Sequence, residues 1–165
     1  MFSFIKNRKG FLAKVVFLCS ILVFSTECFC SASKLTGYWT TVSDTNGELT
    51  SVIKIWQDEK GQYEGTVVKL YKHNDTVYYC NRCPAPFAHK PILGLTLFNS
   101  LKYENNNYYE HGRILDPKSG HIYKLNMTVV SPQKLKVRGY IGISLFGRTQ
   151  YWHRYHGKKT GLVSA

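Results

Sequence analysis

From residue 34 onward the chain consists of short runs in which apolar and polar residues alternate, separated by turn residues. This period of two is the signature of antiparallel β-structure. In the clearest run Tyr123, Leu125, Met127 and Val129 fall on one face, and Lys124, Asn126 and Thr128 on the other. Lys134-Leu135-Lys136-Val137-Arg138 alternates as strictly. The pattern predicts strands over 37–43, 50–57, 62–71, 93–103, 108–115, 121–130, 134–141 and 147–155. Asn46-Gly47 supplies the positive φ angles of a tight hairpin. In Asp116-Pro117-Lys118-Ser119-Gly120 the proline fixes φ and the glycine closes the turn. About eight hairpin-linked strands leave two exposed edges, which closure removes. The expected fold is all-β, a single antiparallel up-and-down barrel with little helix, whose interior is filled or holds one small ligand.

The segment 72–92 breaks the alternation. It holds His73, Cys80, Cys83, His89 and prolines 84, 86 and 91, and so many prolines exclude a central strand. It reads as a long ordered loop across one end of the barrel, a usual place for binding loops.

Before residue 34 the pattern changes again. Lys6, Arg8, Lys9 and Lys14 precede the apolar run 15–24, and small residues follow at Ser31-Ala32-Ser33. That is the layout of a secretory signal, with an apolar run too short for a comfortable membrane span. The expected organisation is a signal peptide over 1–33, a barrel domain over 34–156 and a flexible basic tail over 157–165. The processed protein is expected in the periplasm or secreted, without a stable transmembrane anchor. Of 22 basic residues four lie in the signal, and of 10 acidic residues one does, which leaves 18 − 9 = +9. Such a charge suits a solubilising surface, or anionic company such as lipid headgroups, peptidoglycan or an acidic ligand.

Three segments together resemble a known family. They are Gly37-Tyr38-Trp39, then Gly112-Arg113-Ile114-Leu115-Asp116-Pro117-Lys118-Ser119-Gly120, and then the pair Arg138-Gly139-Tyr140-Ile141-Gly142 and Gly147-Arg148-Thr149-Gln150-Tyr151-Trp152. The chain resembles the bacterial domain-of-unknown-function family 2147 across nearly the whole segment after residue 34. The resemblance implies an exported, lipocalin-like or calycin-like barrel of the cell envelope. It also implies that Trp39 plugs one end beneath an arginine of the last strand, either Arg148 or Arg154, through a cation–π contact.

The last strand places Arg148, Gln150, Trp152 and Arg154 on one face. If that face points inward, both arginines enter the barrel mouth and hold a carboxylate or phosphate; the alternative is a packing cluster with Trp39. Arg148, Arg154, Trp152, Trp39 and Arg138 are the candidate ligand-binding residues. Cys80 and Cys83 form a disulfide in an oxidising compartment, with a redox pair or a metal site completed by His73 or His89 as alternatives. The basic stripe Lys134, Lys136, Arg138 suits a polyanion or membrane surface better than nucleic acid in an exported protein. Catalysis finds no support. Residues 142–147 lack the spacing of a nucleophile elbow, nothing supplies a nucleophile beside His111 and Asp116, and no phosphate loop or zinc-protease motif is present. No cofactor is implied. The expected function is non-catalytic binding of a small anionic or amphipathic ligand, with contact to an anionic envelope surface through a basic outer face as the alternative.

Overall fold

The computed structural model describes residues 34–72, 76–158, 160, 162 and 163. The expected signal segment and His73 lie outside the described residues. The strands are β1 (Gly37–Val42), β2 (Leu49–Gln57), β3 (Tyr63–Leu70), β4 (Thr96–Asn105), β5 (Tyr108–Leu115), β6 (Ile122–Ser131), β7 (Lys134–Tyr140) and β8 (Gly147–Arg154). They close a barrel in sequence order, each pair antiparallel. Among the described residues none is helical, and no helix is long and apolar enough to cross a membrane.

The alternation is realised as a core. Leu125, Met127 and Val129 of β6 and Leu135 and Val137 of β7 are buried, and Lys124, Lys134 and Lys136 alternate with them on the outward face. Asn126 keeps its outward face yet is buried there, accepting from the Tyr140 hydroxyl at 3.4 Å. The largest difference from the predicted strands is at β4, which starts at Thr96 rather than at 93. Gly94 takes φ +85°, so 93–95 turn back onto β3. There Gly94 N donates to Val67 O at 2.8 Å and Val67 N donates to Leu95 O at 3.0 Å.

The two ends of the barrel differ. At one end the connections 58–62, 106–107 and 132–133 are tight. At the other the connections 43–48, 71–95, 116–121 and 141–146 are longer. The tight end is packed solid by Trp39, Ile55, Tyr63, Leu101, Tyr109 and Leu125 among others. Arg154 caps it. Its guanidinium carbon lies 3.8 Å from the Trp39 ring centroid, and its nitrogens donate to Thr36 O and Lys34 O at 2.8 Å each and to Pro132 O at 3.1 Å. Trp39 Nε1 donates to Leu35 O at 2.8 Å. Burial lowers the Arg154 pKa, yet a guanidinium remains charged. Gly37 is needed here because its φ is +122° and a Cβ would stand 2.7 Å from Arg154 Nη1. Beyond β8 the chain returns to the barrel wall, where Val163 N donates to Val68 O at 3.0 Å.

Substituting Arg154→Ala removes a cation–π contact and three charge-assisted hydrogen bonds at the β1–β8 seam. The expected loss is about 2–4 kcal/mol, read as a lower urea midpoint at unchanged slope. An unchanged midpoint would remove Arg154 from the closure of the barrel.

Candidate functional site: a cavity at the open end

The inward positions of the strands carry bulky side chains toward the tight end and smaller ones toward the open end. A cavity of about 620 Å³ results, and it opens between the longer loops. That volume lies within the range of small-molecule sites. Its floor includes Trp152 and Val67, with the Phe98 ring 6.4 Å from the Trp152 ring. Phe98 lies this deep because Gly65 leaves it room; a Cβ there would be 2.0 Å from the ring. The walls include Leu97, Ile114, Val137 and Tyr123. Gly139 also faces the cavity, in alternation with Leu135 and Val137, and its added Cβ would meet nothing closer than Tyr123 Cβ at 3.6 Å. A Cβ at Gly139 would thus fit in ordinary contact with Tyr123 and Ile114, and a larger side chain would take up cavity space.

Among the polar lining groups two sets are bonded to one another. Thr41 Oγ1 lies 2.6 Å from Thr50 Oγ1 and 2.7 Å from Ser51 Oγ. A second set runs from floor to rim. Trp152 Nε1 donates to Gln150 Oε1 at 3.2 Å, Gln150 Nε2 donates to Asp44 Oδ2 at 2.5 Å, and the same carboxylate oxygen pairs with Arg148. Among the described residues no buried side-chain nitrogen or oxygen lacks a partner.

The predicted ligand residues separate. Arg148 and Trp152 line the cavity. Arg154 and Trp39 stand at the sealed end instead, because β8 runs the length of the barrel and its two arginines sit at opposite ends. The expectation that both enter the mouth is thus corrected, and the packing cluster accounts for Arg154. Arg138 lies on the outer face, where Nε donates to Ser144 O at 2.8 Å and Nη1 to Thr149 Oγ1 at 2.7 Å. Asp44 and Gly139 were not anticipated. Nothing near Asp44 in sequence marks its partner 104 residues away; the period-two register of β7 is the signal that places Gly139 inward.

The long loop crosses the open end as predicted, and Thr76, Val77 and Ile92 contribute to the cavity wall. Cys80 and Cys83 are joined as a disulfide with Cα atoms 5.3 Å apart, and both are buried. The loop is folded back on this staple: Cys80 N donates to Lys90 O at 2.9 Å, His89 N to Cys80 O at 3.1 Å and Ile92 N to Tyr78 O at 2.9 Å. With both sulfurs bonded to each other, neither is a thiolate ligand. Among the described residues the one group with metal-ligand spacing is Glu104, Glu110 and His111, on the outer surface and without either cysteine.

A family model described as "Uncharacterized protein conserved in bacteria (DUF2147)" matches residues 37–154. The chain belongs to this family. A solved structure titled "Protein HP1028 from the human pathogen Helicobacter pylori belongs to the lipocalin family" is similar to it, with a TM-score of 0.64 at 15% sequence identity. The similarity covers 73% of this chain and 82% of that one, and it supports the lipocalin-like fold. No curated protein matches the sequence. The runs that carry the DUF2147 resemblance have separate tasks in the barrel. In 138–142 Arg138 holds the β7–β8 loop from outside while Gly139 keeps the interior open. In 147–152 Arg148, Gln150 and Trp152 build the inner polar chain while Thr149 accepts from Arg138 outside.

Replacing both cysteines, Cys80→Ser with Cys83→Ser, removes a short covalent loop. The expected cost is about 2 kcal/mol, seen as a lower urea midpoint together with faster proteolysis within 76–92. Equal proteolysis of the two proteins would show that the hydrogen bonds alone hold the loop.

Proposed function

We propose that this protein is an exported, non-catalytic binding protein that holds one small amphipathic ligand in the open half of its barrel. The observation that carries the reading is the half-filled interior: one end packed solid, the other a 620 Å³ cavity with an apolar floor and a polar rim. The apolar part of the ligand rests against Trp152, Val67, Leu97 and Val137, and its acidic or polar end lies at Arg148, Gln150 and Asp44. The Arg148–Asp44 pair does not close the rim to an acid. Arg148 is 67% exposed, and an exposed ion pair holds by about 1 kcal/mol or less, so an incoming carboxylate or phosphate can exchange with Asp44. Export is supported by the basic and apolar layout of residues 1–33 and by the disulfide. Periplasmic residence follows from the same two features as part of this proposal.

The probe 1-anilinonaphthalene-8-sulfonate, which is apolar with one anionic group, tests the reading. It is expected to bind with unit stoichiometry and to quench tryptophan emission through Trp152. Gly139→Val projects two methyl groups into the cavity without a positive-φ penalty and is expected to weaken binding about tenfold or more. Arg148→Ala should weaken it by about threefold to tenfold. Arg154→Ala, at the sealed end, should leave the affinity of the folded protein unchanged. Equal binding by wild type and the Gly139 variant would sink the cavity as the site.

A further inference from the structure

We propose that the loop 141–146 between β7 and β8 is a docking element that seats the barrel mouth on an anionic lipid bilayer. Docking stands independently of the cavity's ligand; only the idea that docking brings a ligand's source to the mouth rests on the binding reading above.

The loop has a composition that no other mouth loop shares. Ile141, Ile143, Leu145 and Phe146 are between 61% and 76% exposed, and Gly142 and Ser144 complete the segment without a charge. The other mouth loops carry Asp44 and Glu48, Arg82 and Lys90, or Asp116 and Lys118. Clustered large apolar side chains at a protruding tip mark an interaction site rather than scattered surface.

Four carbonyl oxygens of the tip are satisfied, three of them by side chains from its base. Gly142 O accepts from Lys124 Nζ at 3.0 Å, Ser144 O from Arg138 Nε at 2.8 Å, Leu145 O from Arg138 Nη2 at 3.2 Å and Ile143 O from Phe146 N at 3.1 Å. Unsatisfied peptide groups are what makes entry of a loop into hydrocarbon costly, so these bonds lower the cost of immersing this one. They also place Lys124 and Arg138 at the base of the loop, at headgroup depth when the tip is immersed.

The charge distribution selects an anionic bilayer over other apolar partners. Residues 34–116 contain nine basic and nine acidic side chains, whereas 117–165 contain nine basic and none acidic. The entire +9 of the chain after residue 33 thus resides in the last three strands, their loops and the tail. β6, β7 and β8, which flank the loop, include Lys124, Lys134, Lys136, Arg138 and Arg148 and no carboxylate. Each basic residue near an anionic membrane surface adds attraction, and an apolar tip with a cationic base supplies the two signals that stable peripheral binding needs. Ile141 and Phe146 belong both to the exposed tip and to the cavity wall, so a bilayer holding the tip lies against the mouth.

Flotation with vesicles of phosphatidylglycerol mixed into phosphatidylcholine is expected to carry the protein upward, and vesicles of phosphatidylcholine alone to carry far less. Added salt should weaken the association. Ile143→Ser with Leu145→Ser, two tip residues outside the cavity wall, should lower vesicle affinity by about thirtyfold. L145W should shift to the blue with mixed vesicles and be quenched by lipids brominated in the acyl chain. Wild type that stays below the vesicles, a double variant that floats as wild type does, or indole emission unmoved by vesicles overturns the proposal. So does a wild-type dimer that the double substitution dissociates without any vesicle binding, which would make the tip a contact with a second copy. Anilinonaphthalene sulfonate binding without vesicles, unchanged in the double variant, separates failure of docking from failure of the cavity.

Discussion

The stacking of Arg154 on Trp39 is the interaction on which the rest of the barrel depends. Every other neighbouring pair of strands runs a longer ladder, but β1 and β8 are paired only at Trp39↔Arg154 and Thr40↔His153. A ladder that short contributes little, since a hydrogen bond is worth about 1 kcal/mol net. Arg154 reinforces it from the side, binding three carbonyls on two separate segments and lying flat on the indole. Closure removes the free edges of the sheet, and it fixes which end is sealed. Trp39 fills that end, while the cavity at the other lies among Val67, Val137 and Gly139.

The fold was legible because the barrel is built from local rules. Alternation in β6 and β7 and the glycine, asparagine and proline turns are contained within a few residues, so they locate strands and hairpins directly. Even the start of β4 was missed for a local reason: Leu93 and Leu95 continue the apolar alternation, while the positive φ of Gly94 turns the chain out of the sheet. The site was less legible because it is made of distances along the barrel axis. Arg148 and Arg154 share a face of one strand, and the alternation treats them alike. They differ only in where Trp39 and Asp44 stand, and those residues come from the other end of the chain. Arg138 shows the same gap. Its face was outward as the alternation implied, but its partner at Ser144 is set by a loop conformation that no period describes.

One strand serves both the lining of the cavity and the support of its rim. In β8 the inward residues Arg148, Gln150 and Trp152 link rim to floor, and the outward Thr149 receives Arg138 from β7. Arg138 in turn holds the loop 141–146, whose Ile141 and Phe146 border the cavity. The shape of the mouth is therefore coupled to the outer face through the Arg138 guanidinium, with Lys124 holding Gly142 O beside it. The two short runs 138–142 and 147–152 are the two sides of one hairpin, in register from Arg138↔Thr149 to Tyr140↔Gly147.

Magnitudes decide what kind of ligand such an interior favours. Among the described residues every buried side-chain polar atom has a partner. At the rim, a polar end that displaces Asp44 from the exposed Arg148 gains about 1 kcal/mol or less. Apolar contact contributes about 25 cal/mol for each Å² removed from water, so a few tens of Å² against Trp152, Val67 and Val137 already equal the contribution of the rim. On the binding reading proposed above, affinity would therefore follow a ligand's apolar bulk, with the rim orienting it, and selection would fall on size more than on the head group.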